Sequence, residues 1–195
     1  MTSKDPVIGV LGLQGDYQKH QAVLDSVAVP SLTVRHADDF TRIDRLIIPG
    51  GESTVIADLL VRLNMADTFM AFIKTHPVWG TCAGMILLAR QVNDNSVNPY
   101  GVIDITVDRN GYGRQCYSTV IPARLSLNGS SELLEMVFIR APRVTAVGPG
   151  VEILLRRDQD PVLLCQNNIL VSAFHPELTG SSFLHNYFAR RFVSA

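Results

Sequence analysis

Apolar residues in the first half of the chain fall into short runs separated by longer amphipathic stretches. Val7–Leu13, Ser31–His36, Asp44–Pro49 and Val78–Thr81 are runs of strand length. Asp16–Val27, Ser53–Leu63, Ala66–His76 and Ala83–Val92 carry apolar positions three and four apart, the spacing of one buried helix face. Alternation of this kind predicts an α/β fold, an open and mostly parallel sheet with helices on both faces. Such sheets need right-handed crossovers, and they place sites at the C-terminal ends of their strands.

From Gly101 onward the pattern shortens. Gly101–Val107, Ser118–Leu127, Met136–Ile139, Val151–Leu155, Val162–Cys165 and Ile169–Ala173 read as added antiparallel strands, and Phe183–Phe192 as a closing helix. No repeat, low-complexity tract or linker interrupts the chain, so one domain over 1–195 is expected.

Composition narrows the function classes. With 195 residues, 47% hydrophobic and 18% charged, the chain has the material for a real core. Seventeen basic against eighteen acidic residues leave no basic stripe, so no nucleic-acid partner is expected. The apolar runs are far shorter than the ~20 residues that cross a bilayer, and no membrane association is expected. The opening MTSKDPVIGVLGLQGD reads as a first strand rather than a secretory signal. Three cysteines at wide spacings, Cys82, Cys116 and Cys165, argue against a disulfide framework and for a reducing, cytoplasmic compartment. CxxC and HxxxH pairs, a GxGxxG turn and a phosphate loop are all missing, so neither metal nor cofactor is expected.

Three strand ends carry candidate chemistry. In "VWGTCAGMILLAR" a strand turns through Gly80-Thr81-Cys82-Ala83-Gly84 into a helix. A tight turn between small residues displays its central side chain, and the helix start offers N–H groups that favour a thiolate. Cys82 is therefore a displayed nucleophile or a packed thiol. In "SAFHPELT", His175 and Glu177 flank Pro176 in extended chain, which points both side chains the same way. They form a base with its orienting carboxylate, or a loop with a surface acid. In "IIPGGEST", Pro49-Gly50-Gly51 is a kink that frees an N–H for a cleft. With the N–H of Ala83, that of Gly51 would make an oxyanion hole; the alternative is a plain turn with Ser53 capping the next helix. The other histidines, His20, His36, His76 and His185, read as surface or core residues without a comparable partner.

PGGES, GTCAG and HPE in this order resemble a class I glutamine amidotransferase domain, a flavodoxin-like sheet that carries a Cys–His–Glu triad. "GVLGLQGD", "LIIPGGEST", "GTCAGMILLA", "VDRNGYGRQ", "VFIRAP" and "SAFHPELTG" together resemble the glutaminase subunits of pyridoxal 5′-phosphate synthases, over nearly the whole chain. The resemblance implies Cys82 as nucleophile, His175 as base and Glu177 as orienting group. It implies Gly51, Glu52, Ser53, Arg109, Ile139 and Arg140 as the L-glutamine pocket, with Arg114 as a second pocket cation or a surface residue. It further implies hydrolysis of glutamine to ammonia and a synthase subunit that receives the ammonia within a large hetero-oligomer, the LQGD segment lying near that contact. A glutaminase for another acceptor, or a non-catalytic subunit of the same fold, are the alternatives. Cys116-Tyr117-Ser118, "QVNDNSVNPYG" and "SLNGSSELLEM" depart from the family pattern.

Overall fold

The computed structural model describes residues 5–112 and 118–191. Arg114, Cys116, Tyr117 and Phe192 lie outside the described residues.

Four short apolar runs form the centre of the molecule: β1 (Ile8–Leu11), β3 (Arg45–Ile48), β4 (Val78–Thr81) and β12 (Ile169–Ser172). All four are buried at every position, as strands covered on both faces must be. With β2 (Ser31–Val34), β11 (Asp160–Gln166) and β10 (Glu152–Arg157) they make a seven-stranded sheet in the order β10-β11-β12-β4-β3-β1-β2. The block β12-β4-β3-β1-β2 is parallel throughout, and β11 and β10 add antiparallel strands at one edge. That parallel block is the flavodoxin-like order.

Helices cover both faces. Successive strand residues point to opposite sides, and β4 shows what each side meets. Trp79 packs edge-on against His20 of α1 (Tyr17–Ser26) and His185 of α5 (Phe183–Arg191), and at a tilt against Phe188 of α5. Gly80 points the other way, where an added Cβ would strike the Gly84 backbone of α4 (Ala83–Leu88). On that side α4 packs on α2 (Ser53–Arg62), and α2 on α3 (Ala66–Thr75). The buried residues of each helix keep the predicted spacing: Ile56 and Leu60 in α2, and Phe69, Phe72 and Ile73 in α3.

Two sequence expectations are corrected. Ala83–Val92 is not one helix: α4 stops at Leu88, and β5 (Ala89–Val92) runs parallel to β6 (Ile103–Asp108). Pairing with β6 overrides the helical spacing that the apolar run continues to offer. Nor are the later strands all antiparallel additions, since β12 lies inside the main sheet, parallel to β4. The remaining strands form β6 with β9 (Arg143–Val147), and a hairpin of β7 (Thr119–Leu127) and β8 (Ser130–Phe138). Among the described residues, no helix is long and apolar enough to cross a membrane.

Candidate active site

The chain segments that follow four neighbouring parallel strands meet on one side of the sheet. Asp16 follows β1, Gly51 to Ser53 follow β3, Cys82 follows β4 and His175 follows β12; all line one cleft of about 140 Å³. Parallel pairing makes this meeting necessary, because it puts the C-terminal ends of all these strands on the same side.

Cys82 sits at the turn between β4 and α4 with φ 46° and ψ −98°. Its N–H donates to the carbonyl of Ser172 at 2.8 Å, so the backbone is still tied to β12 when the chain reverses. A side-chain-bearing residue at this φ is strained, and the strain lifts the thiol out of the sheet toward the cleft. The small neighbours are required by close approach: a Cβ at Gly84 would strike the Ile48 carbonyl oxygen. The Cys82 side chain is almost wholly buried, with Sγ 3.9 Å from the Ile139 carbonyl oxygen.

His175 and Glu177 follow β12 directly. His175 donates its backbone N–H to the Val137 carbonyl at 2.8 Å, which ties it to β8. Its Nδ1 lies 2.7 Å from Glu177 Oε1, and both residues are buried. Pro176 opens a short 3-10 turn over Pro176–Leu178, which holds the two side chains on one side. Nε2, the opposite nitrogen, makes no hydrogen bond of ordinary geometry among the described residues. Burial opposes the imidazolium, but the adjoining Cys82 sulfur and Glu177 carboxylate outweigh it and push the proton affinity of His175 up to about 10.

The PGG kink packs against this pair. A Cβ at Gly50 would strike the His175 ring, and one at Gly51 would strike the Gln14 amide oxygen. The same Gln14 oxygen accepts the Glu52 backbone N–H at 2.7 Å, and Gly50 O accepts from the Asp16 N–H at 3.4 Å. The loop after β1 thus holds the loop after β3. Ala83 begins α4 and is buried, and Ser53 begins α2 with its hydroxyl buried.

The mouth of the cleft carries the remaining expected residues. Arg140, at φ 45°, reaches Glu52 Oε1 at 2.9 Å, and both are substantially exposed. Arg109 lies 3.7 Å from Asp94 and donates to Ser96 Oγ. Ile139 lines the wall between Arg140 and Cys82. Every expected site residue among the described ones therefore borders this cleft, apart from Ala83 and Glu177, which are buried next to Cys82 and His175.

Sequence reasoning missed Gln14, Asp16, Ile86 and Asn110, three of which line the cleft. The first two were accessible in principle. Once β1 and β3 are neighbours in a parallel sheet, the segments following them must lie side by side. Asp16, His175 and Glu177 also bring one donor atom each within 4.8 Å of one another, the kind of trio that can hold a cation. His175 Nδ1 and Glu177 Oε1 already engage each other, and Asp16 is exposed, so the trio includes one tightly paired couple and one solvated carboxylate.

A family model described as the SNO glutamine amidotransferase family matches residues 10–194. The chain belongs to this family. Curated relatives include the pyridoxal 5′-phosphate synthase subunit PdxT of Francisella philomiragia, 47% identical over 93% of this chain and 96% of that protein. The protein of the same name from Koribacter versatilis is 44% identical, over 94% of each chain. A solved glutamine amidotransferase superposes with a TM-score of 0.83 at 38% identity, covering 93% of this chain and 96% of the other. A putative GMP synthase protein from Thermoplasma acidophilum shares the fold at TM-score 0.63 and 14% identity, with 95% and 93% covered. Membership in the SNO family gives the cleft its chemical context, an amide nitrogen to be removed from glutamine.

Proposed function

We propose that this chain is the glutaminase subunit of a pyridoxal 5′-phosphate synthase, a cytoplasmic enzyme built as one domain over 1–195. It hydrolyses L-glutamine and passes the ammonia to a synthase subunit within a hetero-oligomer. Family membership and the names of its relatives support the reaction and the partner. The observation that carries the site assignment is the strained, cleft-facing Cys82 beside a buried imidazole whose far nitrogen is held by a carboxylate.

In this reading the Cys82 sulfur attacks the side-chain amide carbon of glutamine as a thiolate, which the adjacent imidazolium of His175 favours. The carbonyl π pair moves to oxygen, and the oxyanion rests on the N–H groups of Gly51 and Ala83. His175 gives its proton to the amide nitrogen, ammonia leaves and a γ-glutamyl thioester remains. The now neutral imidazole takes a proton from water, and the hydroxide attacks the thioester. Glutamate departs and the thiolate–imidazolium pair is restored. Glu177 keeps the imidazole oriented and stabilises its charged form. Gly51, Glu52, Ser53, Arg109, Ile139 and Arg140 bind the substrate, and their mix of carboxylate, guanidinium and backbone groups suits a zwitterionic amino acid.

The kink at Gly50-Gly51 supplies a peptide that can turn when the partner docks, since glycine permits the rotation at little steric cost. Glutamate formation by the full chain, with and without a synthase subunit, tests the reading. The expected result is turnover that rises on adding the synthase. No glutamate in either case contradicts it.

A further inference from the structure

Glu177 has two carboxylate oxygens, and the chemistry above uses one. Oε1 takes His175 Nδ1 at 2.7 Å. Oε2 is buried, and the nitrogen that faces it is His20 Nε2 at 3.4 Å, both side chains being fully shielded from solvent. Behind His20 stands a second imidazole, with His20 Nδ1 3.0 Å from His185 Nε2. Trp79 packs edge-on against both rings, at centroid distances of 5.8 and 5.0 Å, and Thr81 Oγ1 lies 3.4 Å from His20 Nε2. Burying two imidazoles is costly where apolar side chains would fill the same space. Both are core residues, one of the two placements expected, but the expectation that they lack a comparable partner is corrected.

The Glu177 carboxylate favours one direction for this chain. The Thr81 hydroxyl, 3.4 Å from His20 Nε2, can donate or accept, but a carboxylate only accepts, and a bare Nε2 lone pair aimed at it would be repelled; a proton on His20 Nε2 suits both neighbours. His20 Nδ1 is then an acceptor, and His185 Nε2 must carry the proton that meets it. His185 Nδ1 is left as a bare lone pair, and it has no hydrogen-bond partner among the described residues. Protonating it would bury an N–H with nothing to receive it. The groups facing His20 are His185 from α5, His175 and Glu177 from the turn after β12, and Thr81 and Trp79 from β4. Burial and the neighbouring imidazoles hold His20 well below its usual proton affinity, and burial takes His185 down to about 3.

We infer that His20 and His185 are positioning residues for the glutaminase reaction: two neutral imidazoles in series that aim an N–H at the second oxygen of Glu177. This inference rests on the reading of the site as a glutaminase. A neutral donor holds the carboxylate in place yet leaves its charge for His175, whereas a cation at His20 would neutralise Glu177. The 3.4 Å contact is longer than a formed hydrogen bond, and Oε2 has no other partner among the described residues; catalytic hydrogen bonds are often long in the free enzyme and tighten only in the substrate complex.

Histidine-labelled full-length chain, followed by nitrogen-15 NMR, tests this without recourse to activity. At pH 7 the proposal requires both His20 and His185 neutral with the proton on Nε2. An imidazolium at His20, or a proton on its Nδ1, overturns it. His20→Leu should lower kcat about tenfold, the worth of one hydrogen bond to a charged group, and leave KM for glutamine within about twofold. It should also move the His175 titration midpoint down by about one pH unit. His20→Gln, whose amide N–H reaches the same place, should restore most of both. Equal losses in the two variants with an unmoved His175 midpoint would mean packing alone and refute the role. Should His20→Leu not fold, the shifts of the unsubstituted chain still decide. A chain inactive before any substitution would defeat the glutaminase reading, and the imidazole tautomers would still judge this one.

Discussion

Gly50 lies so close beneath His175 that a Cβ on it would collide with the imidazole ring. The loop after β3 and the residue after β12 are thereby locked into one surface, with no room for the smallest side chain. Gly50→Ala should displace the imidazole from Cys82 and lower kcat by ~10², the usual consequence of misplacing a reacting group by about an ångström. Thermal unfolding should change far less than the rate. Steady-state kinetics beside a melting curve check this, and a fully active Gly50→Ala chain would contradict the packing.

The buried histidines set a pH signature on stability. His20 and His185 have lowered proton affinities in the folded state, so their contribution is present above about 6.5 and is lost as pH falls below it. His175 has the opposite sign: raised to about 10, it contributes below about 6.5 and loses that contribution as pH climbs toward 10. Stability should therefore peak near neutrality and fall on both sides. Between about pH 6.5 and 5 the unfolded chain should bind up to about two more protons than the folded one at these rings. Urea denaturation across this range measures the slope, and His185→Leu should flatten the acid side.

Arg109 is held at the mouth of the cleft by the β5–β6 connection. Asp94 lies 3.7 Å from its guanidinium, and Ser96 accepts from it. The Asp94 carboxyl is itself kept below its usual range, chiefly by the Ser96 hydroxyl and in part by Arg109. Asp94→Ala should free the guanidinium and raise KM for glutamine about two- to fivefold, the scale of a partly exposed pair, with kcat nearly unchanged. A loss of kcat with KM unmoved would show that the arginine acts on the chemistry instead.

The legible parts of this chain are those where local pattern and tertiary role agree. β1, β3 and β4 are predominantly apolar runs that the parallel sheet buries, and their ends carry the residues that sequence motifs single out. β9 was missed because only Val144 in it is buried, which leaves almost no apolar signal. The β7–β8 hairpin did announce itself: Asn128 and Gly129, at φ 50° and 78°, make the two-residue turn that favours Asn-Gly, and β8 begins just after it at Ser130. Reading that stretch as merely unusual hid the first half of β8. His20 and His185 were illegible for a different reason. They stand 165 residues apart, and only the packing of α1 and α5 over Trp79 brings them behind Glu177.

In the proposed reaction Cys82, and no other thiol, is the group that attacks glutamine. A diazoketone analogue of glutamine, incubated with the full chain and its synthase partner, places a covalent mark on the attacking sulfur, and peptide mass mapping reads its position. The expected result is one adduct, on Cys82, that glutamine protects against and that His175→Ala slows by orders of magnitude. An adduct on Cys165 or Cys116, or a Cys82→Ala chain that still releases ammonia at the original rate, would contradict it.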